Sequence, residues 1–304
     1  MDRSGSLGRL GLWVGRPVWQ DGGSRPFADL ARRVEELGYG ALWSSGGFTE
    51  TVPEAFGAAL GATTRLSVLT GVISVWHTPP GEAARFVERL PTDQRERFGL
   101  GLGASHAPQV EELGNRYEKP YSAVVEYLDE LDRLGDLGGQ GADDDSPVPP
   151  ARRMLAALGP RMVRLAGERS AGAHPYFVPV EHTARARALL GPGPLLAPEQ
   201  AVVLESDPDT AREIARRHTA SYLKLPNYTG NLRRLGFAAD DLTGAGSDHL
   251  VDSVVAWGDP EAVADRIRAH WDAGADHVAV QFLPARPEGP PAEHLGLLAE
   301  GLFR

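Results

Sequence analysis

Histidine and serine side chains that follow predicted β-strands are the residues of this sequence best suited to proton chemistry. His106 stands directly after the strand-like run Phe98-Gly-Leu-Gly-Leu-Gly103. An imidazole titrates near neutral pH and can serve as a general acid or base, so His106 is the candidate catalytic residue. The alternative is a loop histidine that only hydrogen-bonds a neighbouring backbone group. Ser74 and Ser105 also follow strands and are candidates for orienting a bound ring or a substrate.

The segment Ala156-Ala-Leu-Gly-Pro-Arg161 indicates an anion-binding turn. Small residues end a strand there, and Gly159-Pro160 opens a helix, because proline is favoured at the first helical position. The free amides and the dipole of a helix N-terminus favour an anion, and Arg161 adds a fork of donors. A plain turn with a surface arginine is the alternative interpretation.

The sequence lacks the residues that disulfides, cysteine nucleophiles and common metal sites require. The chain has no cysteine, which excludes disulfides, thiolate zinc sites and cysteine nucleophiles, and no His-Glu-x-x-His motif occurs. We therefore expect no metal, and we interpret the acidic run 143–145 as part of a solvated loop. Gly99, Gly101 and Gly103 have the wrong spacing for a dinucleotide fingerprint, and the next helix begins too late.

Three tryptophans lie on or just past predicted strands: Trp13, Trp43 and Trp76. Core packing explains them adequately. Together at one end of a barrel they could instead form the wall of a site for a flat aromatic ligand, so they are candidate substrate-binding residues.

The elements that must position these residues alternate between two patterns. Short runs rich in β-branched and aromatic residues are each followed by a longer amphipathic stretch. The strand candidates are 10–15, 41–43, 66–72, 98–103, 153–157, 173–178, 200–204 and 276–282. Eight strands alternating with helices predict parallel pairing through right-handed crossovers. The predicted fold is an α/β protein, a closed (β/α)8 TIM barrel whose site lies at the carboxyl ends of the strands.

One domain over residues 8–304 accounts for this pattern. Segment 135–150 is too polar and too rich in glycine and proline to pack, and it is expected to be a mobile loop. Residues 226–255 contain no obvious strand and are expected to add helices over the top of the barrel.

Composition limits the partners of the chain. Its 304 residues carry 31 basic and 41 acidic side chains, a net charge of −10, which opposes binding to nucleic acid or anionic lipid. No apolar run is long enough to span a bilayer, and the N-terminus lacks the apolar core of a signal peptide. We expect a soluble, cytoplasmic protein that acts on a small molecule.

Six segments of the sequence carry a family resemblance: 37–43, 62–72, 97–103, 156–160, 258–266 and 273–280. In this order they resemble the luciferase-like class of TIM-barrel oxidoreductases, in particular the branch that depends on the deazaflavin coenzyme F420 and occurs in actinobacteria. The resemblance covers nearly the whole chain.

The resemblance implies residue roles and an assembly. Gly71-Val72 matches a non-prolyl cis peptide that supports the deazaflavin ring, and Ala156, Ala157, Leu158, Gly159 and Arg161 match the segment that holds the cofactor phosphate. His106 falls in the loop where relatives carry an acidic proton donor. Relatives are usually homodimers.

One segment departs from the pattern. Many F420-dependent relatives carry an Asp-His pair after the second strand, where this chain has Gly46-Gly47. Glycine cannot transfer a proton, so chemistry that depends on that pair does not carry over.

These observations together favour an F420-dependent oxidoreductase that transfers a hydride between the cofactor and a small substrate with an activated C=C, C=N or C=O bond. His106 would protonate the developing anion. The alternatives are an FMN-dependent monooxygenase of the same superfamily and a barrel that has kept the scaffold but lost the redox chemistry.

Overall fold

The computed structural model describes residues 7–15, 24–46, 51–136, 146–283 and 292–303. Most of the predicted mobile loop (residues 137–145) lies outside these ranges, as does Gly47. In the described parts of the chain, no helix has both the length and the apolar character needed to cross a membrane.

Short parallel strands form the centre of the molecule. Nearly every strand residue is buried, as expected for a sheet covered by helices, where apolar residues run continuously along each strand. The strands are β1 (Leu10–Val14), β2 (Ala41–Ser44), β3 (Ser67–Thr70), β4 (Ile73–Ser74), β5 (Phe98–Gly103), β6 (Arg153–Leu155), β7 (Gly172–Ala173), β8 (Leu195–Leu196), β9 (Glu199–Val203), β10 (Val255–Trp257) and β11 (Val278–Phe282).

The strands follow one another around a curled sheet. Their order is β10-β9-β11-β1-β2-β3-β5-β6-β7-β8, and β4 pairs with β5. Strands β8 and β9 are separated in the chain only by Ala197 and Pro198. The Ala197 N–H donates to the Ala173 carbonyl and the Ala279 N–H donates to the Pro198 carbonyl, both at 2.9 Å. Segment 195–203 therefore joins the two sides of the sheet, and the predicted barrel is confirmed.

Helices cover the outside of this sheet. Their bounds are α1 (Ser24–Glu36), α2 (Thr51–Gly61), α3 (Pro80–Arg89), α4 (Thr92–Arg95), α5 (Ala107–Glu112), α6 (Pro120–Asp136), α7 (Pro160–Arg169), α8 (Val180–Leu190), α9 (Pro208–Tyr222), α10 (Pro226–Leu235), α11 (Asp248–Val254), α12 (Pro260–Asp272) and α13 (Ala292–Phe303), with short 3-10 turns at Pro150–Arg152 and Asp240–Leu242.

Helix α1 illustrates how the sequence pattern becomes packing. Phe27, Ala31 and Val34 recur at helical spacing and have no exposed surface, so one stripe of the helix faces the sheet. Gly38 follows with a φ of +87°, a conformation that glycine adopts without steric cost.

The glycines of β5 allow its neighbours to approach closely. A Cβ atom on Gly101 would lie 1.9 Å from the Thr70 carbonyl oxygen, and one on Gly99 would lie 2.5 Å from the Leu69 side chain. These glycines therefore allow β5 to pack closely against β3.

All eight predicted strands are present, and the additional ones are short. Strand β10 begins at Val255, the last residue of the region expected to be purely helical, and its three residues pair with β9. A three-residue strand is too short to show an alternating pattern, which is why the sequence did not indicate it.

Candidate functional site

His106 lies at the end of β5, as predicted, and it has a partner from a distant part of the chain. Its Nδ1 is 3.1 Å from Oδ1 of Asn227, and its ring centroid is 5.3 Å from that of Tyr228. Burial lowers the pKa of His106, and the hydrogen bond with Asn227 opposes that shift only in part. The imidazole is therefore neutral at physiological pH and able to accept a proton.

The two predicted serines lie at the ends of neighbouring strands: Ser74 ends β4, and Ser105 lies in the loop that follows β5. The Trp76 backbone N–H donates to Ser74 Oγ at 3.3 Å, and Ser105 adopts a φ of +58°. The indole N–H of Trp76 donates to the Ala104 carbonyl at 2.8 Å, while the Tyr117 hydroxyl donates to the Ser105 carbonyl at 3.1 Å. The ends of β4 and β5 thus bring Ser74, Trp76, Ser105 and His106 into one neighbourhood.

The bond between Gly71 and Val72, which links β3 to β4, is a cis peptide, in the position that the resemblance implied. The Gly71 N–H donates to the Ser44 carbonyl at 2.7 Å. A Cβ atom on Gly71 would lie 2.6 Å from Nε1 of Trp13, so the indole rests against the glycine. That indole nitrogen is buried and has no hydrogen-bond partner among the described residues.

The predicted anion-binding turn has the expected local structure. Gly159 caps α7 with no side-chain hydrogen bond to the helix, and Pro160 occupies its first turn. Ala156 donates its N–H to the Leu102 carbonyl at 2.9 Å, which fixes the turn to β5. Arg161 is exposed, and its guanidinium lies 4.2 Å from the centre of the Tyr121 ring.

A second arginine approaches the same turn from α10. Nη2 of Arg234 lies 3.9 Å from the position of a Cβ on Gly159, and it is 3.4 Å from Oδ1 of Asn231. Asn231 is only 3% exposed, and its Nδ2 has no partner in the described part of the molecule. Arg234 thus lies beside the turn, where its guanidinium suits an anion, and the neighbouring Asn231 has an unpaired amide donor.

Asn227, Asn231 and Arg234 share one face of α10, since they are four and three residues apart. Sequence reasoning placed a helix here but gave these side chains no role. Their partners, His106 and Gly159, are far away in the chain, and no local pattern indicates such pairings.

The three predicted tryptophans do not form one wall. Trp43 is fully buried, stacks on His174 at 4.3 Å between ring centroids and donates its indole N–H to Nε2 of His277 at 3.0 Å. Trp13 packs beside Trp43 and is 6% exposed. Trp76 lies in the loop that follows β4 and contacts Ala104 after β5. Trp43 therefore has the environment of a core residue, and a ligand role stays a prediction for Trp13 and Trp76.

An aromatic cluster, which sequence reasoning missed, lies between Trp13 and His106. The ring centroid of Tyr176 lies 5.2 Å from that of Trp13, and the Tyr176 hydroxyl donates to Oε1 of Gln281 at 2.7 Å. It also pairs with the hydroxyl of Tyr222 at 2.8 Å. Tyr176 follows the end of β7, and its position after a strand was the available signal.

A buried carboxyl group lies within electrostatic reach of this cluster. Glu199 is 1% exposed, and burial raises its pKa to about 8. The backbone N–H of Phe177 donates to its Oε2 at 3.2 Å. At neutral pH Glu199 is therefore a neutral carboxylic acid, and it adds no charge to this side of the barrel.

Gly46 occupies a backbone conformation that glycine favours, with a φ of +142°. A side chain at this position would be strained, because residues other than glycine rarely adopt a positive φ. The departure from the Asp-His pair is thus matched by the local backbone at Gly46. Among the described residues, no group of three or more His, Asp or Glu side chains is placed to hold a metal ion.

Comparisons with known proteins agree with the fold. Residues 9–277 match the model of a family described as luciferase-like monooxygenase. A search of curated proteins by sequence found no match.

Solved structures with the same architecture cover almost the whole chain. One is an F420-dependent secondary alcohol dehydrogenase in complex with an F420–acetone adduct, with a TM-score of 0.72, 16% identity, and 96% of this chain and 97% of that chain covered. A coenzyme F420-dependent tetrahydromethanopterin reductase from Methanopyrus kandleri has a TM-score of 0.72, 16% identity and coverages of 97% and 99%.

A third similar structure binds a different cofactor. It is the oxygenating constituent of 3,6-diketocamphane monooxygenase from Pseudomonas putida in complex with FMN, with a TM-score of 0.70, 18% identity and coverages of 97% and 97%. At such identities these likenesses show a shared fold.

Proposed function

Since this chain belongs to the luciferase-like monooxygenase family, we propose that it is an F420-dependent oxidoreductase acting on a small organic substrate. The observation that carries the proposal is the N-terminus of α7 at Gly159, which has no side-chain cap hydrogen bond and lies beside the guanidinium of Arg234. A cofactor with an anionic tail fits this arrangement.

Several positive side chains support a ligand with more than one negative charge. Arg161 is the second residue of α7, Arg234 lies beside Gly159, and Arg185 donates to the Arg234 carbonyl at 2.7 Å. Coenzyme F420 carries a phosphodiester and a tail of glutamate carboxylates, whereas FMN carries a single phosphate. The number of arginines near α7 therefore favours F420.

When bound, the deazaflavin supplies a carbon centre that exchanges a hydride with the substrate. The residues of the chain bind and orient it. Gly159, Arg161 and Arg234 would hold the anionic part, while Gly71, Val72 and Ser74 would support the ring at the ends of β3 and β4. His106 would exchange a proton with the substrate, and the two loops that carry Trp76 and Ser105 would exclude water from the reacting atoms.

An FMN-dependent monooxygenase is the second candidate, because an FMN-bound monooxygenase shares the fold to a similar degree. The glycines at 46 and 47 keep a third candidate open, a barrel without redox chemistry.

Variants of the two arginines test the proposal. Fluorescence titration of the purified protein with F420 is expected to show binding in the micromolar range, and replacing either Arg161 or Arg234 by alanine should weaken binding about tenfold or more, since each removes a charge-assisted hydrogen bond. Arg32→Ala is the matched control, because Arg32 is exposed on α1 and pairs with Asp29.

The same titration with FMN distinguishes the candidates. Binding of FMN alone would favour the monooxygenase, and binding of neither cofactor would leave the barrel without redox chemistry. Unchanged F420 affinity in both arginine variants would contradict the assignment of the turn.

A further inference from the structure

His182, near the start of α8, contacts the backbone of the turn that precedes α7. Its Nε2 lies 3.1 Å from the carbonyl oxygen of Leu158, and α7 and α8 pack against each other. A backbone carbonyl oxygen accepts hydrogen bonds and cannot donate them. Nε2 of His182 is therefore the donor and carries the proton, and in a neutral ring Nδ1 is bare.

The surroundings of this imidazole favour its neutral form. His182 is 4% exposed, and its Nδ1 has no hydrogen-bond partner among the described residues. Burial lowers the pKa of His182, the hydrogen bond to Leu158 opposes that shift, and the positive charges of Arg234 and Arg185 lower the pKa further. At physiological pH the ring is therefore neutral, and it has a single N–H, which the Leu158 carbonyl uses.

The hydrogen bond to Leu158 also sets the direction of the next amide. The peptide bond between Leu158 and Gly159 is trans, so its carbonyl oxygen and its N–H point in opposite directions within one plane. Because the carbonyl oxygen is turned toward His182, the Gly159 N–H points away from His182. Within the part of the chain that the structure describes, nothing accepts a hydrogen bond from this N–H.

This free amide lies where an anion is favoured. Gly159 is the N-cap residue of α7, and Pro160 in the first turn of the helix has no N–H of its own. The helix dipole favours negative charge at this end. Nη2 of Arg234 is 3.9 Å from the position of a Cβ on Gly159, so a backbone donor and a guanidinium lie close together.

We propose that His182 is a positioning residue of this turn: by holding the Leu158 carbonyl, it keeps the Gly159 N–H directed at the anionic group of the cofactor. This inference rests on the proposed function. His182 would not touch the ligand and would act only through the Leu158–Gly159 peptide. The feature that matters is then the hydrogen-bond donor at Nε2, and any side chain that places a donor there should serve as well.

Two substitutions of similar volume separate the donor from the packing. In His182→Gln the side-chain amide nitrogen is as many bonds from the backbone as Nε2 and can donate to the same carbonyl. His182→Leu fills a similar space without a donor. His249→Leu is the matched control, because His249 is an exposed histidine on α11.

The tautomer can be measured without any ligand. In ¹⁵N-labelled protein above neutral pH, the ring shifts of His182, assigned by their loss in His182→Gln, should show a protonated Nε2 and a bare Nδ1. A protonated Nδ1 would overturn the assignment, because the imidazole could then not hold the Leu158 carbonyl through Nε2.

Sulfate is the probe for the turn, because its charge does not change near neutral pH. Titration of the wild type with sulfate should move the assigned Gly159 amide signal. His182→Leu should weaken sulfate binding about tenfold, since a misdirected amide loses one charge-assisted hydrogen bond. His182→Gln should restore the affinity to within about twofold of the wild type, and His249→Leu should leave it unchanged.

A purely structural role of His182 predicts a different pattern, in which His182→Gln and His182→Leu lose sulfate affinity alike. That result, equal affinity in His182→Leu and wild type, or a Gly159 signal that does not respond to sulfate would overturn the inference. Fluorescence titration of the same proteins with F420 separates the two claims. If the sulfate results are as expected but F420 does not bind, the proposed function fails and the role of His182 in the turn stands.

Discussion

At the scale of a single residue, the buried carboxyl of Glu199 makes stability depend on pH. Its pKa rises from 4.5 to about 8 on folding, because burial penalises the charged form. The folded state therefore holds a proton that the unfolded state has already released. This contribution to stability is intact below pH 4.5 and is lost as pH rises to about 8.

Glu199→Gln removes that dependence, because an amide stays neutral at every pH in this range. The free energy of unfolding of the variant, relative to wild type, should increase by about 1.4 kcal/mol for each pH unit between pH 5 and 8. Urea denaturation at several pH values measures the difference. Glu112→Gln, an exposed glutamate, is the control, and a constant difference for Glu199→Gln would show that the carboxyl is already ionised.

Residues of the candidate site can be predicted from sequence to the extent that they follow a strand. His106, Ser74 and the Gly159 turn are candidates of this kind, and the structure brings His106 and Ser74 to adjacent strand ends. Asn227 and Arg234 could not be found, because each meets its partner across a long stretch of chain and lies on a helix that shows no motif.

At the scale of elements, the close approach of β5 to β3 depends on glycine. Gly101→Ala would place a Cβ atom 1.9 Å from the Thr70 carbonyl oxygen, and this neighbour is backbone that cannot rotate away. We expect a loss of stability of about 3 kcal/mol or more, at or above the upper end of ordinary overpacking.

Gly57→Ala in α2 is the control, since nothing lies within 4 Å of the added Cβ. It should stabilise the protein by about 0.5–1 kcal/mol through helix propensity. Urea denaturation of both variants gives the comparison, and a Gly101→Ala variant as stable as wild type would mean that β3 and β5 are not held this closely.

Elements were predicted well where they are long or regular. Each predicted strand exists because its run of apolar residues is buried in the barrel. Strands β8 and β10, with two and three residues, were missed because they exist only through pairing with β7 and β9. Trp43 was assigned to a ligand wall because periodicity gives the strand but not the depth of a side chain within the barrel.

At the scale of the whole molecule, buried neutral histidines set the response to acid. Burial lowers the pKa of His174, His218 and His277 to about 4 and that of His270 to about 3. In the unfolded chain these groups take up protons below about pH 6.5. Stability should therefore fall as pH drops from 6.5 toward 4, by up to about 1.4 kcal/mol per histidine and pH unit.

Urea midpoints at pH 7, 6 and 5 measure this effect, and the Glu199→Gln background removes the opposing contribution of that carboxyl. We expect a steep decrease of the midpoint below pH 6.5. A midpoint that is unchanged from pH 7 to 5 would mean that these histidines are solvated in the folded protein.

The proposed function requires the barrel to bind a deazaflavin in preference to FMN, and equilibrium dialysis of the wild-type protein against equal concentrations of F420 and FMN tests this preference most directly. The arginines around Gly159 predict that F420 is enriched with the protein and that FMN is not. Enrichment of FMN, or of neither cofactor, would contradict the claim.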